Sequence, residues 1–173
     1  ENLIKVDDKY YQNHFLRNNY PECRDNYMER KVKELLEFIL PEAKFFSSAK
    51  YHVVDEDGKQ KETELDVLGI APDSIFVIEA KAHKLSDGDK RAGGKGLMDK
   101  LKDSIGYASY QCHRAKKYIE DTVNPTFHSS GQIVSIDKSK IKQIYKIVTT
   151  FEHFSAMICD MNNLIKEGVM QDD

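Results

Sequence analysis

The sequence contains no tryptophan, only four prolines and three cysteines, and no long apolar run. Its uninterrupted apolar stretches are far too short to span a bilayer, so no membrane-spanning helix is expected. The cysteines are widely separated and form no CxxC pair, which argues against a zinc site and favours a reducing, cytoplasmic setting. Cys112 and His113 superficially resemble a nucleophile and its base, but adjacent helical residues do not face each other. A thiol enzyme is therefore disfavoured.

The composition is that of an ordinary globular protein, with 40% hydrophobic and 32% charged residues among 173. We expect residues 1–173 to form a single domain whose core spans about residues 27–150. The sequence begins at Glu1 without a methionine, so it is also compatible with a piece of a longer protein that carries partner domains. No pattern indicates an oligomeric state.

The net charge of −3 hides an uneven distribution of basic residues. Segment 81–102 holds seven Lys or Arg against three Asp, and a second basic run follows at 138–146. A solvated surface explains such runs, and so does contact with nucleic-acid phosphates. The choice between these two interpretations depends on which functional residues lie near the basic runs.

Hydrophobic periodicity and turn residues predict an α/β fold. The predicted elements in chain order are a helix at 27–40, strands at 43–54, 61–70 and 74–82, a long helix at 97–119, a strand at 141–150 and a closing helix at 154–165. Segments 86–96 and 124–131 are predicted loops because glycine and proline interrupt them. The order αβββαβ, with a C-terminal helix, indicates a mixed four-stranded sheet flanked by helices. The third strand should be central because it is apolar on both faces.

Charged residues follow this third strand directly, although burying them is costly unless they are paired or hold a metal. Glu79 and Lys81 project from the same face because side chains alternate along a strand. The tight turn at 71–73 would bring Asp66 of the preceding strand within reach of Glu79. Asp66, Glu79 and the carbonyl of Ala80 would then form an incomplete shell for Mg²⁺ or Mn²⁺, with Lys81 orienting a water or steadying charge on a phosphate. A structural ion pair is the alternative, but it explains one acid better than two.

These residues resemble the PD-(D/E)XK nuclease superfamily. Asp66 followed by "SIFVIEAK" contains the D…ExK pattern, and "FVIEAK" is similar to the nuclease-related (NERD) branch of that superfamily. The resemblance implies a restriction-endonuclease-like core over roughly residues 27–150. It also implies a Mg²⁺- or Mn²⁺-dependent nuclease that hydrolyses phosphodiester bonds of nucleic acid, with DNA as the expected substrate. Asp66, Glu79 and Lys81 would be its catalytic residues.

The resemblance further implies roles for two helical residues. A Glu on the first helix often completes the metal site, and Glu29 in "MERKVKELL" has that position, although a solvated carboxylate fits equally well. A Gln often lies on the helix after the motif, and Gln111 in "YASYQCHRAKKYI" would be this further catalytic residue. Gln111 shares a helical stripe with Tyr107, Arg114 and Tyr118, which suits a phosphate backbone or a metal-bound water. Ordinary surface polarity would produce the same pattern.

Basic residues near the motif are the expected contacts to nucleic acid. They are Lys84, Lys90, Arg91, Lys95 and Arg114. Phosphate contacts carry affinity without sequence information, so no recognition sequence is predicted.

Two other interpretations stay open. One is a catalytically silent nuclease fold that binds nucleic acid or assembles with partners, and a metal-dependent cleavage assay would separate it from an enzyme. The other is an unrelated α/β protein with a structural ion pair, which a wide separation of Asp66 from Glu79 would favour.

Overall fold

A computed structural model describes residues 19–54, 57–82, 99–151, 165–166 and 168–169. The elements in chain order are helix α1 (Tyr20–Ile39), strands β1 (Lys44–Val54), β2 (Gln60–Ile70) and β3 (Ser74–Lys81), a π-helical turn (Lys102–Gly106) that continues into helix α2 (Tyr107–Asp121), strands β4 (Thr126–Ser129) and β5 (Gln132–Ser135), a 3₁₀ turn (Lys138–Lys140), and strand β6 (Gln143–Thr150). In the described ranges, every helix is too short or too polar to cross a membrane.

Helix α1 begins earlier than predicted and ends where predicted. Its first turn contains Pro21, which is tolerated there because the first helical N–H groups have no intrahelical partner. At the other end, the backbone N–H of Leu40 donates to the carbonyl of Leu36 at 2.8 Å, just before Pro41. The predicted closing helix at 154–165 lies outside the described residues except for Ile165, which is helical.

In the part of the chain that the structure describes, six strands form one mixed sheet in the order β5-β4-β1-β2-β3-β6. All neighbouring strands are antiparallel except β3 and β6, which are parallel and are joined by a connection that contains α2. Strand β3 is therefore interior, as its apolar faces indicated. The α/β fold with a mixed sheet is confirmed.

The predicted number of four strands is wrong, because segment 124–131 contains strand β4 and not only a loop. Strands β4 and β5 form a hairpin that turns at Ser130 and Gly131, both with left-handed φ angles of 49° and 78°. Phe127 of β4 is fully buried, with its ring centroid 5.0 Å from that of Tyr51 and 5.4 Å from that of Tyr118. The packing of Phe127 thus stabilises β4, a strand too short to show a periodic pattern in the sequence.

The sheet lies between the two helices. On one face Ile75 and Val77 of β3 share a core with Cys112 of α2. On the other face Ile78 of β3 shares a core with Val32 of α1. Because both faces of β3 are covered, the carboxyl group of Glu79 near its C-terminal end is shielded from water.

The regular alternation of β2 reverses at Asp66. Leu65 lies in the core on the α2 side and Val67 in the core on the α1 side, although residues two apart should share a face. Opposite Asp66, Ser48 of β1 has a φ of 48°, which is uncommon for a residue with a Cβ atom. The pairing of β2 with β3 ends at Val67 and Ile78, so the two strands separate beside Asp66.

Candidate active site

The carboxylate of Asp66 spans the gap where β2 and β3 separate. Its Oδ2 accepts a hydrogen bond of 2.8 Å from the backbone N–H of Ala80. A side-chain oxygen thus replaces the strand carbonyl that a continued ladder would have supplied. Ala80 itself is buried, and its side chain faces α1. Asp66 is held against the end of β3 as a result.

Glu79 is 0% exposed and lies beside Asp66. Its Oε2 accepts a hydrogen bond of 2.9 Å from Lys81 Nζ, whereas its buried Oε1 has no hydrogen-bond partner in the described parts of the chain. Burial, followed by the charge of Asp66, raises the pKa of Glu79 to about 7, although Lys81 lowers it. Additional positive charge nearby would stabilise the ionised form of this carboxyl group.

Glu29 belongs to the same electrostatic environment from the opposite helix. It is half buried on α1, and burial, followed by the charges of Asp66 and Glu64, raises its pKa to about 7. The acids further along α1 are different: Glu34 and Glu37 pair on the surface with lysines one turn away. Helix α1 therefore directs one carboxyl group, and not a general acidic face, towards the site.

Lys81 is held by groups from two elements. Its Nζ lies 2.9 Å from Glu79 Oε2, 3.0 Å from Gln111 Oε1, and 5.8 Å from the ring centroid of Tyr107. Burial lowers the pKa of Lys81, but the charge of Glu79 and the hydrogen bond to it outweigh burial, and the net pKa is raised. Lys81 is accordingly cationic at neutral pH.

The remaining members of the predicted helical stripe lie further from Lys81. Arg114 donates through Nη2 to Thr63 Oγ1, and its guanidinium lies 5.6 Å from the ring centroid of Tyr110. The Tyr118 hydroxyl donates to the carbonyl of Thr126 at 3.0 Å and accepts from the backbone N–H of that residue at 3.1 Å, which anchors β4. Tyr118 is therefore structural. The other predicted phosphate contacts lie outside the described residues: Lys84, Lys90, Arg91 and Lys95.

Sequence reasoning missed the support that surrounds Glu79. Thr149 of β6 donates through Oγ1 to the backbone carbonyl of Glu79 at 3.3 Å. The thiol of Cys112 lies within hydrogen-bond distance of two carbonyls, those of Val77 and Ile147, at 3.5 and 3.6 Å. Burial raises the pKa of Cys112 to about 12, which makes it a poor nucleophile. The parallel pairing of β3 with β6 was the missing signal, because it places Thr149 opposite Ala80.

The donor set suits a hard divalent cation in an incomplete protein site. Asp66 and Glu79 supply carboxylate oxygens, which Mg²⁺ prefers, and the buried Oε1 of Glu79 is an acceptor without a donor among the described residues. Across the described ranges, no group of three or more His, Cys, Asp or Glu side chains is arranged to hold a metal. Glu29, Asp66 and Glu79 therefore do not form a three-acid cluster, and the ligand role of Glu29 stays a prediction. Solvent would complete the coordination of an ion, as is usual for Mg²⁺.

Comparison with known proteins gives one match. A family model described as the nuclease-related domain, NERD, matches residues 24–138, which is more than half of the chain. The matched span extends from within α1 to the first residue of the 3₁₀ turn and contains Glu29, Asp66, Glu79, Lys81 and Gln111. No curated protein and no solved structure matches the chain.

Proposed function

The chain belongs to the nuclease-related domain family, and from this membership we propose that it is an enzyme that hydrolyses phosphodiester bonds of nucleic acid, DNA foremost, with a divalent metal ion. One observation carries the proposal. The buried carboxyl group of Glu79 lies between the carboxylate of Asp66 and the ammonium of Lys81, at a point where two strands separate. Burying Glu79 beside a second, partly buried acid is costly in a merely structural role.

Asp66 and Glu79 would hold Mg²⁺ or Mn²⁺, with the carbonyl of Ala80 and waters as further ligands. Glu29 is proposed as an additional ligand because it shares the negative environment of Asp66. A bound cation would lower the pKa of a coordinated water and neutralise phosphate oxygens. Because the pKa of Glu79 is raised to about 7, a bound cation would favour the ionised form of this carboxyl group.

Lys81 would orient the attacking water or stabilise negative charge as it develops on the phosphate. Gln111 would position Lys81, because its amide oxygen holds the ammonium without neutralising it. Lys84, Lys90, Arg91, Lys95 and Arg114 would bind backbone phosphates. Replacing Lys90, Arg91 and Lys95 with alanine should then weaken binding equally for all sequences and flatten its salt dependence.

A catalytically silent module that binds nucleic acid or assembles with partners is the second candidate. The ion pair of Lys81 with Glu79, at 2.9 Å, favours it, because a lysine that neutralises an acid is less available to substrate. Cleavage of end-labelled DNA and RNA with Mg²⁺, Mn²⁺ or EDTA separates the candidates. Metal-dependent products that the Lys81→Ala variant does not form support the enzyme, whereas binding without products supports the silent module.

We also propose that residues 1–173 form one domain, with other domains of a longer chain as possible partners. The expected compartment is the cytoplasm. Cys23 and Cys112 are both free thiols in the structure, which suits a reducing environment.

A further inference from the structure

Helix α2 presents two tyrosines to solvent beside the candidate site. Tyr107 is 53% exposed and Tyr110 is 43% exposed. They lie one helical turn apart, with ring centroids separated by 6.4 Å and planes inclined by 29°. A single exposed aromatic ring is common on protein surfaces, but two exposed rings one turn apart offer a larger aromatic area.

Each of these rings is paired with a cation. Lys81 Nζ lies 5.8 Å from the centroid of Tyr107, and the Arg114 guanidinium lies 5.6 Å from the centroid of Tyr110. Lys81 also contacts Glu79, so the aromatic surface is continuous with the candidate site. Arg114 is secured by Thr63 of β2, which keeps its charge at the far end of the surface.

This combination of rings and cations matches the chemistry of an unpaired nucleic-acid strand. Bases of single strands stack on aromatic side chains, and the backbone between them is attracted to Lys and Arg. Bases inside a duplex stack on one another, so their faces are not available to a protein side chain. An exposed pair of rings beside a phosphate site therefore favours unpaired over paired substrate.

We propose that Tyr107 and Tyr110 form a stacking platform for bases of an unpaired strand whose backbone reaches Lys81. The inference rests on the proposed function, because it takes the phosphate site as the place where the strand is cut. It adds the substrate class, namely single strands or the unpaired portions of longer nucleic acids. The sugar, ribose or deoxyribose, is left to the test.

Binding is measured in EDTA, so that cleavage does not interfere, with fluorescein-labelled oligothymidine, oligouridine and a DNA duplex of the same length. The double variant Tyr107→Leu/Tyr110→Leu should bind single strands at least about 30-fold more weakly, since stacking contributes about 1–3 kcal/mol per base and two rings are lost. Duplex binding should change little. The salt dependence should also stay unchanged, because stacking releases no counterions.

Two control variants isolate stacking from general damage. Tyr107→Phe/Tyr110→Phe keeps the rings and should bind like the parent. Tyr145→Leu removes a tyrosine of similar exposure, 47%, which stacks on Phe76 on the α1 side of the sheet, and it should also leave binding unchanged. A strand containing 2-aminopurine gives an independent readout on the parent protein, because stacking on a ring should quench its fluorescence.

Equal losses for single strands and duplex, an equal loss in Tyr145→Leu, or unquenched 2-aminopurine would overturn the platform. Comparing oligothymidine with oligouridine identifies the preferred sugar. The cleavage assay is separate: tyrosine-dependent binding without any cleavage keeps the platform and refutes the nuclease. If the protein cleaves but its binding does not depend on Tyr107 and Tyr110, the nuclease proposal is supported and the platform is refuted.

Discussion

The ammonium of Lys81 lies 3.0 Å from the amide oxygen of Gln111, across the interface between β3 and α2. The amide is a neutral acceptor, so it restrains the lysine without cancelling its charge. Glu79, at 2.9 Å, is the charged partner of the same ammonium. Two groups thus hold Lys81, and only Glu79 carries a charge opposite to that of the ammonium.

Gln111→Ala should lower cleavage while changing the free energy of unfolding by no more than about 1.5 kcal/mol, because Gln111 is half buried and loses a single hydrogen bond. Thermal melting and a cleavage time course would check this. Gln111→Glu is the informative companion, because it keeps an acceptor near Lys81 but adds an opposing charge. It should also impair cleavage, with melting preserved. A large drop in melting temperature for Gln111→Ala would show that the residue is structural.

The acids and the lysine should give different phenotypes. Asp66→Asn and Glu79→Gln preserve shape but remove charge, so both should weaken Mg²⁺ binding in calorimetry and abolish cleavage. Lys81→Ala should abolish cleavage while Mg²⁺ still binds, since a positive neighbour of the ion has gone. Glu62→Gln, at an exposed acid of β2 paired with Lys50, is a control that should change neither. If all three site variants lose stability alike and the parent binds no Mg²⁺, the cluster is a structural ion pair.

Stability of the metal-free protein should fall as the pH rises. The pKa of Glu79 is raised from 4.5 to about 7 by burial and by Asp66, so the folded state holds its proton more tightly than the unfolded state. Glu79 therefore contributes stability that is fully present below pH 4.5 and is lost as the pH rises through about 7. Glu29 contributes in the same direction and more weakly, because it is partly exposed.

Thermal melting in EDTA between about pH 5 and about pH 8 would check this dependence. The parent should melt at lower temperature towards the alkaline end, and Glu79→Gln should flatten the profile. Adding Mn²⁺ should restore stability mainly at the alkaline end of this range, where the carboxyl groups of Glu79 and Glu29 are both charged. A melting profile that rises with pH in EDTA would contradict the assigned pKa direction.

Gly106→Ala should destabilise the protein although alanine is the better helix former. Gly106 is helical, with a φ of −61°, but a Cβ atom there would lie 2.3 Å from the carbonyl oxygen of Val169. We expect a loss of about 1–3 kcal/mol in the free energy of unfolding. Ending the chain at Lys166 removes the obstacle, so in that shortened background alanine should be neutral or stabilising. Equal losses in both backgrounds would place the cause elsewhere.

Local patterns were sufficient for the long elements. Strands β1, β2 and β3 were predicted within a residue or so of their ends, because turn residues separate runs of β-branched and aromatic side chains. The β4–β5 hairpin was missed since each strand has four residues, and its stability comes from Phe127 packing against Tyr51, far away in sequence. No local signal reports such a contact.

Only part of the candidate site could be predicted from the sequence. Alternation along β3 placed Glu79 and Lys81 on one face, and the ion pair between them follows from that spacing. The family resemblance implied that Gln111 lies at the site. Its contact with Lys81, thirty residues away, was not predicted, because it depends on how α2 packs on the sheet. The reversal at Asp66 coincides with the left-handed φ of Ser48, a residue type that gives no sign of such a conformation.

Asp66 closes a gap in the sheet as well as facing the site. This double role affects what the sequences of related proteins can say about catalysis. Its Oδ2 satisfies the N–H of Ala80, so even a relative without catalytic activity would be under pressure to keep an Asp or Asn there. Glu79 bonds through its side chain to Lys81, and neither group is needed to complete the ladder. Among homologous sequences, an acid aligned with Asp66 would therefore say little about catalysis. Retention of the Glu79 and Lys81 pair would be the more telling sign that selection still acts on chemistry.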